Sequence, residues 1–128
     1  MTAAKLGKLQ TRIMQVLWDQ ESATARQITD QLNKQYPKEP VAHSTVQTLL
    51  RGLMDKGSVK HETEGRTFVF SAAVAEEKVR KNATRDLVKR VFDGSAGDLV
   101  SFLLKNEKVT KNELDEIKKL INEKTKGK

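Results

Sequence analysis

Residues 41–57 read VAHSTVQTLLRGLMDKG and residues 58–72 continue SVKHETEGRTFVFSA. This stretch decides the fold. In its first half Val46, Leu49, Leu50 and Leu53 recur at helical spacing and form one apolar stripe. Ser44, Thr45, Gln47, Thr48 and Arg51 fall on the other face. Lys56-Gly57 is a stop signal, a cation in the last turn followed by a residue able to take a positive φ. The stripe therefore predicts a helix over 43–56. The second half is two extended runs flanking Glu64-Gly65, which reads as a two-residue hairpin loop. Pairing outward from that loop sets Thr63 opposite Arg66, His61 opposite Phe68 and Val59 opposite Phe70. Val59, Phe68 and Phe70 then share a face that can pack on helices. His61, beside Phe68, takes a structural cross-strand role.

Upstream, Leu9, Ile13, Val16 and Leu17 lie on one helical face and predict a helix over 7–19. Trp18 closes it as a core or rim aromatic. Glu21-Ser22-Ala23 is a break. Thr24 stands three residues before Gln27, the spacing of a capping box, and Ile28 and Leu32 follow. A short helix over 24–35 results, ended by Tyr36-Pro37-Lys38-Glu39-Pro40. Three helices and a hairpin in residues 1–73 is the order of a winged helix-turn-helix. Such a module places the second helix of its turn motif in the DNA major groove. That helix is 43–56 here, and its polar face suits the task. Gln pairs with adenine, Arg with guanine, Ser and Thr with bases or phosphates, and a Thr methyl packs on thymine. Arg66, at the hairpin tip, is placed to reach phosphate or the minor groove. The same face also fits an ordinary solvated helix surface.

Downstream, Val79, Ala83, Leu87, Val88, Val91 and Phe92 line one face of a helix predicted over 74–92. Its other face carries Lys78, Arg80, Lys81, Arg85, Lys89 and Arg90, most simply a solvated surface. Asp93-Gly94-Ser95 breaks it, with Ser95 able to cap the next helix. There Leu99, Val100, Phe102, Leu103 and Leu104 are apolar nearly all round, a pattern that expects burial on more than one side. Thr110 and Glu113 form a second capping box, opening a helix with Leu114, Ile117, Leu120 and Ile121 on one face. The charged tail from Glu123 to Lys128 is expected to fray. Residues 74–128 are too few to bury such helices well alone. Dimerisation through Val91, Phe92, Leu99, Phe102, Leu103, Leu114, Ile117, Leu120 and Ile121 is the economical solution. It also supplies two recognition helices for a two-fold symmetric operator. The alternative is that these helices fold back on the winged helix as one monomeric core. The expected fold class is thus mostly α with a small β-hairpin. A winged-helix DNA-binding domain spans 1–73 and a three-helix dimerisation module spans 74–128.

Composition narrows the function. The 128 residues make one ordinary domain, or a small one with an appendage. Without cysteine there is no disulfide, thiol catalysis or thiolate metal site. Two histidines, His43 and His61, offer no metal-ligand cluster. No apolar run approaches the ~18 residues of a membrane span, and MTAAKLGKLQ lacks the apolar core of a secretory signal. A cytoplasmic, cofactor-free protein with no membrane insertion is expected. The net charge is +7. Lys and Arg exceed Asp and Glu by ten to seven over 1–73 and by fourteen to ten over 74–128, so the excess is no basic tail. It favours an anionic partner such as nucleic acid, weakly when taken alone.

Several stretches are similar to the penicillinase, methicillin-resistance and copper-transport repressors, the BlaI/MecI/CopY group. They are Ile13-Met14-Gln15-Val16-Leu17-Trp18, Ser44-Thr45-Val46-Gln47-Thr48-Leu49-Leu50, Lys56-Gly57, Glu64-Gly65-Arg66 and Phe92-Asp93-Gly94-Ser95. They come in the family's order and span nearly the whole chain. The resemblance implies a homodimeric winged-helix repressor on a near-palindromic double-stranded DNA operator. Ser44, Thr45, Gln47 and Thr48 would be at DNA-contacting positions, and the last three helices in an intertwined dimer module. It also implies release by a signal, with proteolysis by a membrane metalloprotease sensor as one route. The chain departs from the family in three places. Many members carry Arg where this chain has Gly52, and Arg51 lies about 100° away around the helix. The cysteines of the copper branch are missing. The Asn-Phe bond cleaved in the β-lactam branch is also absent; the matching pair is Phe102-Leu103, and Ser101-Phe102 is the nearest look-alike.

A second class fits the same order of elements. Winged helices also serve as protein-interaction adaptors, with a partner on the basic face of the 74–92 helix and no sequence-specific DNA binding. An enzyme is the poorest reading. The sequence has no Gly-rich phosphate loop, no metal-ligand cluster and no nucleophile with an evident base, and Asp115-Glu116 sit among lysines as solvent-facing residues do.

Overall fold

Helix α1 (Lys8–Gln20) places Ile13, Met14, Val16 and Leu17 inward, as the stripe of apolar residues requires. The Gly7 N–H at its start donates to the Gln10 side chain at 2.7 Å. A computed structural model describes residues 7–127 of the chain. At the end of α1, Glu21 has φ 70° and ψ −44°. The Ser22 N–H donates to the Gln20 carbonyl at 2.8 Å, which closes a three-residue γ-turn. The turn delivers the chain into β1 (Ala23–Thr24), a strand of two residues. The break expected at 21–23 thus hides a strand too short to show any periodicity.

Thr24 then caps α2 (Ala25–Gln35) through the reciprocal box its spacing predicts. Its hydroxyl accepts from the Gln27 N–H at 3.1 Å, and its own N–H donates to Gln27 Oε1 at 2.9 Å. The loop to the next helix is pinned to α1. Glu39 Oε1 lies 3.1 Å from both Lys8 Nζ and Arg12 Nη1. The Arg12 guanidinium also sits 3.5 Å from the Tyr36 ring centroid. Helix α3 (His43–Asp55) buries Val46, Leu50 and Leu53.

The hairpin β2 (Val59–Glu64) and β3 (Thr67–Ala72) completes a three-stranded antiparallel sheet of order β1-β3-β2. Its register corrects the expected one. Glu64 pairs with Thr67, His61 with Phe70 and Val59 with Ala72, so the loop is Gly65-Arg66 rather than Glu64-Gly65. Gly65 has φ 64° while Arg66 keeps a negative φ, the pattern of a type II′ turn, which needs glycine first. The slip is by two positions, so the same residues keep the same faces. Phe70 is buried, whereas Phe68 is 48% exposed.

The core gathers Ile13, Met14 and Leu17 of α1, Ile28 and Leu32 of α2, Val46, Leu50 and Leu53 of α3, and Val59 and Phe70 of the sheet. Trp18 packs on this core, and its indole N–H donates to the Val74 carbonyl at 3.0 Å. All of this lies in the first of two compact units, which ends at Thr84 inside α4 (Glu76–Val91).

The second unit runs from Arg85. Asp93 and Gly94 take φ of 52° and 86° and end α4. The Ser95 hydroxyl accepts from the Asp98 N–H at 3.0 Å and opens α5 (Ala96–Asn106). The expected box of Thr110 and Glu113 opens α6 (Lys111–Lys126). That helix runs on to Lys126, into the tail expected to fray, with Lys124 and Lys126 favourably placed at its negative end; Lys128 lies outside the described residues. No described residue of α4, α5 or α6 is buried. Within one chain, then, α5 lacks the burial on several sides that its composition anticipates. Leu103, Phe102 and Leu120 are 42%, 50% and 62% exposed.

Candidate nucleic-acid interface

Helix α3 has two unlike faces. Val46, Leu50 and Leu53 lock one into the core, which fixes the rotation of the helix. Ser44, Thr45, Gln47, Thr48 and Arg51 are all exposed on the other. Ser44, Gln47, Thr48 and Arg51 follow one another at spacings that make a single stripe, with Thr45 on its flank. The Thr48 hydroxyl donates to the Ser44 carbonyl at 3.1 Å. Its proton is therefore engaged within the helix, leaving a lone pair and a methyl group to face outward.

The hairpin is tied to the far end of α3. His61 Nδ1 lies 3.1 Å from Met54 Sδ, and the His61 ring stacks on Phe68 with centroids 4.4 Å apart. This is the structural role expected of His61, with Phe70 rather than Phe68 as its cross-strand partner. The tie holds the Gly65-Arg66 tip beside α3. Between α3 and the hairpin opens a groove of about 490 Å³, lined by Arg26, His43, Gln47, Arg51, Arg66 and Thr67 among others. Gln47, Arg51 and Arg66 thus meet in one place. Sequence reasoning missed Arg26 and His43, since nothing in either's local pattern tells that α2 and α3 bring them to one groove.

Among the described residues, no group of three His, Asp or Glu side chains is arranged to hold a metal ion. No helix among the described residues is long and apolar enough to cross a membrane. In the second unit, Val91, Phe102, Leu103, Leu114, Leu120 and Ile121 are exposed, while Phe92, Leu99 and Ile117 are half-buried.

The fold and this polar, cationic face define a winged-helix regulator of the DNA-binding type. The penicillinase repressor family matches residues 6–123. The chain is 24% identical over 119 residues to the penicillinase repressor of Bacillus licheniformis, covering 93% of this chain and 91% of that protein. It is 21% identical over 120 residues to the methicillin resistance regulatory protein MecI of Staphylococcus aureus, covering 94% and 95%. The solution structure of the DNA binding domain of the repressor BlaI superposes with a TM-score of 0.51 at 27% identity. That match covers 59% of this chain and 88% of that domain. The chain belongs to the penicillinase repressor family. It is a transcriptional repressor and not an enzyme, and the adaptor reading is not favoured.

Proposed function

We propose that the protein is a homodimeric repressor acting in the cytoplasm on a near-palindromic operator in double-stranded DNA. Residues 1–73 bind DNA, with α3 in the major groove and Arg66 on the backbone or in the minor groove. Residues 74–128 form the dimer through Val91, Phe92, Leu99, Phe102, Leu103, Leu114, Ile117, Leu120 and Ile121. One observation carries the DNA half of this reading. Ser44, Thr45, Gln47, Thr48 and Arg51 stand exposed on a helix whose other face is held in the core. These are side chains with base-edge partners. The dimer half rests on Phe102, Leu103 and Leu104 of α5 and Leu114, Leu120 and Ile121 of α6, all left in water, since an apolar surface of this extent calls for a partner. Release follows a signal, with proteolysis by a membrane metalloprotease sensor as one route.

Fluorescence anisotropy tests the proposal. The probes are duplexes selected from a random pool by the protein itself, and the unselected pool, across a salt series. Tight, selective binding with two chains per site supports the dimeric repressor. Equal, salt-sensitive binding to both probes reduces the finding to a basic surface and overturns the operator reading.

A further inference from the structure

We propose that the groove between α3 and the hairpin is a channel for the phosphodiester backbone, with Arg26 of α2 as its sequence-independent anchor. This inference rests on the DNA-binding reading and names a contact which that reading does not include.

Three arginines line the groove, and each comes from a different element: Arg26 from α2, Arg51 from α3 and Arg66 from the hairpin loop. No carboxylate lines it. Among the described residues, none of the three arginines forms an ion pair. This contrasts with Arg12, Arg80 and Arg90, each of which has a carboxylate partner. Cations gathered without counter-charge repel one another, and an anion relieves that repulsion. A planar guanidinium grips phosphate oxygens with two parallel N–H donors, which an ammonium does not. Thr67, also in the lining, supplies a further hydrogen-bonding group.

Position separates the role of Arg26 from that of its neighbours. Gln47 and Arg51 lie on the stripe of α3 that meets base edges. Arg26 lies on the preceding helix, which in helix-turn-helix docking crosses the backbone. A contact to phosphate positions the protein and carries no sequence information. Arg26 therefore adds affinity for every duplex equally. The open form of the groove suits a continuous strand that enters and leaves.

The experiment compares wild type, Arg26→Gln, Arg26→Lys and the control Lys34→Gln, a cation on α2 outside the groove. Binding to the selected duplex and to the random pool is measured between 50 and 200 mM salt. Each phosphate contact contributes about 0.9 to the slope of log affinity against log salt. Arg26→Gln is expected to lower that slope by about 0.9 per chain on both duplexes, leaving the ratio between them unchanged. Arg26→Lys should restore most of the slope, and Lys34→Gln should not alter it. Arg26 is exposed, and an unchanged thermal midpoint verifies that the variants fold. A titration with inorganic phosphate serves as the arm for a free-anion site. Competition at low millimolar phosphate, independent of ionic strength, would assign the groove to a free anion and overturn the backbone channel. An unchanged slope in Arg26→Gln overturns this inference alone. Failure of the wild type to bind either duplex overturns the DNA-binding reading with it.

Discussion

The Asn33 side chain grips the backbone of Val41 with both ends of its amide: Nδ2 donates to the Val41 carbonyl at 3.1 Å, and Oδ1 accepts from the Val41 N–H at 2.8 Å. Val41 precedes α3 by two residues, so this clamp sets where α3 begins relative to α2. It replaces the pairing that a strand would give to a stretch between two prolines and a helix. Removing it leaves a partly buried N–H and C=O without partners. Asn33→Ala is expected to cost about 1–3 kcal/mol of stability, measured by urea unfolding. Selective DNA binding should fall further than random binding, because the orientation of α3 is loosened.

Gly52 lies inside α3, where glycine costs helix stability. A Cβ at this position meets nothing within 4 Å. Gly52→Ala should therefore stabilise the protein by about 0.5–1 kcal/mol, seen as a higher thermal midpoint with an unchanged denaturant slope.

Glu21 holds φ 70° in the γ-turn after α1 and carries a negative charge at the negative end of that helix. Both effects are unfavourable. Glu21→Gly relieves both and is expected to add about 0.5–1 kcal/mol after its own entropy cost. A loss of stability would mean that the carboxylate has a favourable role that outweighs the strain.

The Glu39 carboxyl is held below the ordinary carboxylate range by hydrogen bonds from Lys8 first and from Arg12 second. A depressed folded-state pKa means that its stabilisation is present above the unfolded pKa and lost as pH falls through the folded one. Wild type should thus melt above Glu39→Gln at neutral pH, and the two should converge as pH drops through and below the carboxylate range. Glu39 is exposed, so the difference is small and shrinks with added salt.

Within the interface, the engaged hydroxyl of Thr48 separates its possible contacts. If its methyl packs on thymine, Thr48→Val keeps selectivity better than Thr48→Ser does. Gln47→Ala should weaken the selected duplex by about 1–3 kcal/mol while sparing the random pool. Arg66→Ala should weaken both alike. Equal losses on both duplexes for Gln47 and Arg66 variants would sink the assignment of α3 as the reading helix.

Most of the helical architecture is legible in the chain, because apolar spacing and caps act locally. Thr24 with Gln27, Ser95, and Thr110 with Glu113 all cap the helices their positions announce. Strand β1 escapes notice because two residues carry no alternation, and Thr24 already reads as a cap. The hairpin loop was open to misreading because Glu64-Gly65 and Gly65-Arg66 both contain the one glycine. Strand twist admits types I′ and II′ alike; type I′ would force Glu64 to a positive φ, whereas type II′ asks it only of Gly65, which then stands first. The exposed stripe of α3 follows from period alone, since the opposite stripe must be buried. Arg26 and His43 could not be placed in the groove that way, for that depends on how separate elements pack.

The hydrogen bond from Trp18 to the Val74 carbonyl has a practical consequence. Trp18 is the chain's one tryptophan, and its indole joins α1 to the segment between β3 and α4. Its emission therefore serves as a built-in optical gauge of that joint. Any event that pulls the end of β3 away from α1 hands the indole N–H to water and shifts the emission to longer wavelength, with no label attached.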